Sequence, residues 1–150
     1  MSQLGPKQQN WINELRHGGH RQVSGHLQWD DCYCCLGVAC VATESESTRV
    51  IRNEHTLPGG IVEREVYGED LAEQPQVFAA IGLHDESGSP NRDDPKCEEL
   101  LAYCRDLDWL GIDEIAACTL TRLNDDSGLT FEQIADILEK FPTVYFKEAR

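Results

Sequence analysis

Read along the chain, apolar residues fall into short periodic blocks separated by polar and glycine-rich joints. Trp11, Ile12 and Leu15 share one face of a helix predicted over residues 7–16, and Gly18-Gly19 ends it because glycine tolerates the left-handed conformation. Over residues 21–29, Val23, Gly25 and Leu27 alternate with Gln22, Ser24, His26 and Gln28, which predicts a short strand with His26 facing outward. Trp29-Asp30-Asp31 turns into the longest apolar run, residues 35–42. There Leu36, Ala39 and Cys40 fall at i, i+3 and i+4, and apolar side chains cover most of a helical circumference, so the predicted helix is buried nearly all round. Gly37 inside it costs about 1 kcal/mol relative to alanine, a cost best explained by the close approach of another element.

Beyond a polar loop at residues 43–47, residues 49–53 and 60–67 have strand character, joined by a turn at Pro58-Gly59-Gly60. Ile61, Glu63, Glu65 and Tyr67 share one side of the second strand, and Val62, Arg64 and Val66 the other, a half-buried pattern that suits a sheet edge. A helix over residues 74–82 tolerates Pro75 in its first turn, packs through Val77, Phe78, Ile81 and the following Leu83, and ends at Gly82. Residues 84–94 are turn and surface types, predicting a mobile loop. Pro95 opens a helix to about residue 106, striped by Cys97, Leu100, Leu101 and Cys104, after which Trp109 to Ile112 should pack on the core. Residues 113–123 read as helix, with Cys118 to Thr121 open to a strand reading. Thr130-x-x-Gln133 is a capping box ahead of Phe131, Ile134, Ala135, Ile137 and Leu138, the buried face of a last helix that Pro142 ends; Val144 to Phe146 reads as a final short strand.

These elements predict one α+β domain over residues 1–150: four or five helices around the buried cysteine-containing helix, with a small, mainly antiparallel sheet of three or four strands. No apolar run approaches the roughly 20 residues that span a bilayer, and the polar start of the chain lacks an apolar signal segment, so a cytoplasmic protein with free thiols is expected. The seven cysteines are in any case an odd number.

Charge changes the picture. The net charge is −14, and residues 51–150 carry 22 of the 27 acids. Such a field repels nucleic acid and membrane headgroups and suits a partner with a basic surface. Twelve acids fall within residues 84–126, against four bases. Asp85, Glu86, Asp93, Asp94, Glu98, Glu99, Asp125 and Asp126 are therefore the candidate partner-binding residues. Asn124-Asp125-Asp126-Ser127-Gly128 is not a calcium loop: the alternating acids, the sixth-position glycine and the bidentate glutamate are missing.

The thiols admit three chemistries. Free cysteine packs as a small buried hydrophobe. His20, His26, Cys32 and Cys40 could together bind zinc, making the chain a metal-stabilised module. Cys32 or Cys34 beside His20 or His26 could make a nucleophile pair in the cleft of a hydrolase or small-ligand binder. No nucleophile elbow, phosphate loop, His-Glu-x-x-His or dinucleotide fingerprint is present, so an enzyme is not the expectation, nor is a cofactor.

Cys34-Cys35-Leu36-Gly37-Val38-Ala39-Cys40 resembles the signature of a family of small uncharacterised proteins of bacteriophage and bacterial genomes. The similarity extends to Trp11 with its helix, to Gln22, Gly25 and Leu27, to Val77 with Leu83, to Leu123-Asn124-Asp125, and to Thr130-Phe131-x-x-Ile134-Ala135. It implies a fold and a genomic neighbourhood and no particular activity; the histidines lie outside the pattern. With the charge asymmetry, it leads to the expectation of a small acidic accessory protein of phage type. Such a protein would bind a host macromolecule without chemistry of its own, inhibition being one outcome of that binding.

Overall fold

The computed structural model describes residues 4–45, 48–60, 62–66, 68–107 and 114–149. Among them are seven helices and two small sheets, an α+β architecture. Helix α1 (Pro6–His17) buries Trp11, Ile12 and Leu15, as the spacing predicts. Helix α2 (Cys35–Thr43) packs against α1 and is enclosed at every position from Cys35 to Cys40. Its sequence has apolar side chains on every face, so burial on all sides is its stable placement. The Trp11 indole N–H donates to the Cys35 carbonyl at 2.9 Å, fixing the start of α2 against α1.

The close approach inferred at Gly37 is that of Leu27. A Cβ built there would lie 1.8 Å from the Leu27 carbonyl oxygen. That carbonyl also accepts from the Cys34 N–H at 3.3 Å, so the chain before the helix folds back across its first turn.

The predicted strand over residues 21–29 is broken. Only β1 (Arg21–Gln22) and β2 (Gln28–Trp29) are extended, and Gly25 between them bends at φ 78°. With β3 (Cys32–Tyr33) they form a mixed sheet in the order β1-β3-β2, β1 parallel and β2 antiparallel to β3. The second sheet is the hairpin of β4 (Arg52–Thr56) and β5 (Val62–Val66), antiparallel from Arg52↔Val66 to Thr56↔Val62. Its first strand starts three residues later than predicted because a side chain has claimed Ile51: Gln74 donates to the Ile51 carbonyl at 2.6 Å and accepts its N–H at 2.8 Å. Val66 is buried rather than half-buried, while Ile61 and Tyr67 lie outside the described residues.

Helix α3 (Pro75–Ile81) begins with proline and ends on Gly82 at φ 74°, as expected. Residues 84–94 form a loop but a pinned one, against the mobility predicted for it. The carbonyls of Glu86, Ser87 and Gly88 accept from Leu71, Thr121 and Leu120, and Asn91 N–H donates to Val144 at 2.7 Å. The turn residues read as solvent-loving are instead spent holding backbone, which satisfies groups that would otherwise be stranded. Helix α4 (Cys97–Leu107) buries Leu100 and Cys104. Trp109 to Ile112 and Asp113 lie outside the described residues.

The helix expected over residues 113–123 is two pieces. A 3-10 turn, Ile115–Cys118, stops at Thr119, and α5 (Leu120–Asp125) follows; no strand forms there. Helix α6 (Phe131–Lys140) has the predicted capping box: Gln133 N–H donates to Thr130 Oγ1 at 3.2 Å, and Thr130 N–H to Gln133 Oε1 at 2.9 Å. Its charged side meets α1, where Arg16 bonds Asp136 at 2.6 Å and Glu139 at 2.7 Å. Pro142 ends α6 but also opens α7 (Pro142–Tyr145), so the predicted final strand is reduced to a single bridge, Leu83↔Phe146.

Candidate functional site

The predicted acidic positions divide into two groups. Asp85, Asp94 and Asp125 are partly buried and committed to the fold. Asp85 Oδ1 accepts the N–H of Ser87 at 3.0 Å and of Ser89 at 2.9 Å. Asp94 Oδ1 accepts from Lys96 N–H at 2.9 Å, and Asp125 Oδ1 from the Asn124 amide at 2.8 Å. Glu86, Asp93, Glu98, Glu99 and Asp126 are exposed and form no ion pair among the described residues. They lie on the pinned loop, the first turn of α4 and the end of α5. The Leu120–Gly88 and Thr121–Ser87 backbone bonds place the loop beside the start of α5, so these acids belong to adjoining elements.

The predicted zinc ligands are not gathered. His20 is bonded to Glu14 at 2.8 Å, with its ring edge-on to Tyr33 at 5.2 Å; His26 is exposed, 5.0 Å from the Trp29 ring. Cys40 is enclosed within α2, while Cys32 sits partly exposed on β3. Among the described residues no group of three or more His, Cys, Asp or Glu is placed to hold a metal ion. Nor does a thiol–imidazole hydrogen bond join Cys32 or Cys34 to either histidine among those residues.

The thiols of the central helix are held protonated. Cys34 is the N-cap of α2, and its sulfur accepts the Gly37 N–H at 3.4 Å. Amides at a helix start favour a thiolate, but burial outweighs them and pushes the Cys34 thiol up to about 12. Burial raises Cys35 and Cys40 as well, with the neighbouring Cys34 adding to both. Cys118 moves the other way: a hydrogen bond from the Cys104 thiol draws it down against the effect of burial. Both sulfurs are fully enclosed, and the Tyr145 hydroxyl donates to the Cys118 carbonyl at 2.7 Å.

Sequence reasoning missed Asn124. Its side chain is buried and joins four partners: Oδ1 accepts from Cys35 N–H at 3.2 Å and from the Gln22 amide at 2.8 Å, while its amide donates to Val23 carbonyl and to Asp125. Asparagine beside two aspartates reads as a turn, and the signals of another role are Leu123 just before it and the place of Leu123-Asn124-Asp125 in the family resemblance. Trp29 was also missed as a surface residue: it keeps half of its area in water.

A mixed α+β domain with enclosed thiols and an acid-bearing loop pinned to its helices is what the geometry defines. The chain belongs to the family described as Domain of unknown function (DUF8296), whose model matches residues 6–141. No curated protein and no solved structure matches it. No helix among the described residues is long and apolar enough to cross a membrane.

Proposed function

We propose that the protein is a non-catalytic binding module that engages a basic surface on a host macromolecule, in the manner of a small accessory or inhibitory protein of phage type. Its working place is the cytoplasm. The observation that carries this reading is the set of five exposed acids without an ion pair among the described residues, Glu86, Asp93, Glu98, Glu99 and Asp126, in a chain of net charge −14. Carboxylates left in water on a pinned scaffold keep their charge, steer a basic partner by long-range attraction and need little ordering on contact. The raised thiols of α2 support the same view, because a protonated, enclosed sulfur is a poor nucleophile and a poor metal ligand.

The test is affinity capture from a host lysate with the wild-type chain and with the isosteric variant E86Q/D93N/E98Q/E99Q/D126N. A specific basic protein should be retained at about 50 mM salt and released at about 500 mM, where screening is nearly complete. The variant should retain much less of it. Recovery of no basic partner at low salt, or equal recovery by the variant, would overturn the proposal.

A further inference from the structure

The three-stranded sheet presents two rows of side chains with opposite fates. Residues paired across strands share a face, so Arg21, Cys32 and Trp29 form one row and Gln22, Tyr33 and Gln28 the other. The second row is hydrogen-bonded to other parts of the fold, Gln22 to Asn124 and the Leu129 carbonyl, Gln28 to the Val66 N–H and the Asp30 carbonyl, although Gln22 itself is exposed. In the first row Arg21 and Trp29 are exposed and Cys32 between them is partly so. Trp29 is 50% exposed, the most open large apolar side chain among the described residues. The exposed His26 ring stands beside it, centroids 5.0 Å apart and tilted by 38°.

The two-residue turn leaving Trp29 is Asp30-Asp31, both exposed. Asp30 holds φ 53°, the one non-glycine left-handed residue among those described, and thereby keeps the turn that directly follows Trp29 tight. Arg21 stands 3.8 Å from Asp31, and both side chains are about three-quarters exposed, so the pair is loose and readily exchanged. The arrangement is an aromatic face followed directly by a turn of two exposed carboxylates, one of them paired with a weakly held internal cation.

That chemistry selects its occupant. An indole face attracts a cation, and guanidinium stacks on it while offering a planar fork to a carboxylate. A nucleobase could stack there too, but its phosphates would meet Asp30, Asp31 and the overall charge of −14. We infer that Trp29, His26 and the Asp30-Asp31 turn form an anchor for an arginine in a basic peptide segment of the partner, with Arg21 displaced from Asp31 as it docks. The inference rests on the reading above that the partner is basic, and it supplies that reading with a second, aromatic point of contact.

Fluorescence anisotropy with a labelled arginine-rich peptide tests it, with a single-stranded oligonucleotide of equal length as comparison. The proteins are wild type, Trp29→Ala, Arg21→Ala and the five-acid variant. Trp29→Ala should weaken peptide binding about tenfold, the size expected of a partly desolvated cation–π contact. A thermal melt checks that the variant stays folded at the assay temperature, since half of the side chain's area is buried. Arg21→Ala should tighten binding, because the internal competitor is gone. Equal peptide affinity for wild type and Trp29→Ala overturns the anchor, and if the five-acid variant then binds less tightly the acidic-surface reading survives. Loss on Trp29→Ala with no change in the five-acid variant supports the anchor and counts against that wider reading. Preference for the oligonucleotide overturns the anchor.

Discussion

A few side chains decide where the backbone of this domain goes. Gly37 admits the Leu27 carbonyl, and a methyl group at that position would overlap it. Backbone cannot swing aside as a flexible side chain can. Gly37→Ala should therefore cost at least about 3 kcal/mol, the upper range for overpacking a rigid site. A urea midpoint unchanged from wild type would show that the segment at Leu27 moves freely. Buried amides do complementary work. Gln8 accepts from Gly5 N–H and donates to the carbonyls of Ile81 and Glu148, and Gln74 closes a two-bond clamp on Ile51. Each satisfies backbone groups that no helix or strand reaches, which is why glutamines that read as surface residues are fully enclosed.

Among the elements, α6 is the one whose sequence specifies itself most fully: cap, apolar stripe and stop are all local. Thr130→Ala removes the Oγ1 that accepts the Gln133 N–H and should lower stability by about 1 kcal/mol. Thr130→Ser should restore most of it in the same thermal melt, and an alanine variant as stable as wild type would refute the cap's contribution. The central helix was legible for the same reason, since apolar side chains on all faces leave it only one place. Other elements were misread where a distant partner overrode local pattern. Thr119 breaks the helix expected around it because the turn carbonyls of Ser87 and Gly88 take up the N–H groups of Thr121 and Leu120. Val144 to Phe146 has strand composition, yet Pro142 starts a helix there and Tyr145 reaches back to Cys118. The hairpin starts late because Gln74, remote in sequence, holds Ile51. The acidic positions could be read from composition; their division into structural and exposed carboxylates could not, because it depends on which backbone N–H each one faces. Trp29 faces water through sheet register alone, set by pairings that two-residue strands do not announce.

Across the whole molecule, enclosed thiols couple stability to alkaline pH. The Cys34 thiol is raised to about 12, and Cys35, Cys40 and Tyr145 shift in the same direction. A folded-state value above the unfolded one means full stabilisation below the unfolded value and progressive loss above it. The urea midpoint should hold steady to about pH 8 and fall from about pH 9 towards 12, by at most about 1.4 kcal/mol per pH unit for each group. Cys34→Ala should shallow that fall. A midpoint level to pH 11 would mean that the sulfurs are not enclosed as described.

Helix α1 is also laced to the segment that follows α7. Gln8 on the first helix bonds the Glu148 carbonyl at 2.8 Å, and Trp11 meets Phe146 edge to face at 6.0 Å. One side of the first helix is thus completed only by residues far along the sequence, although Trp11 also meets the nearer Cys35. Closing so long a loop is a slow event, so that side of the helix stays open in partly folded chains and is where they are most apt to stick to one another.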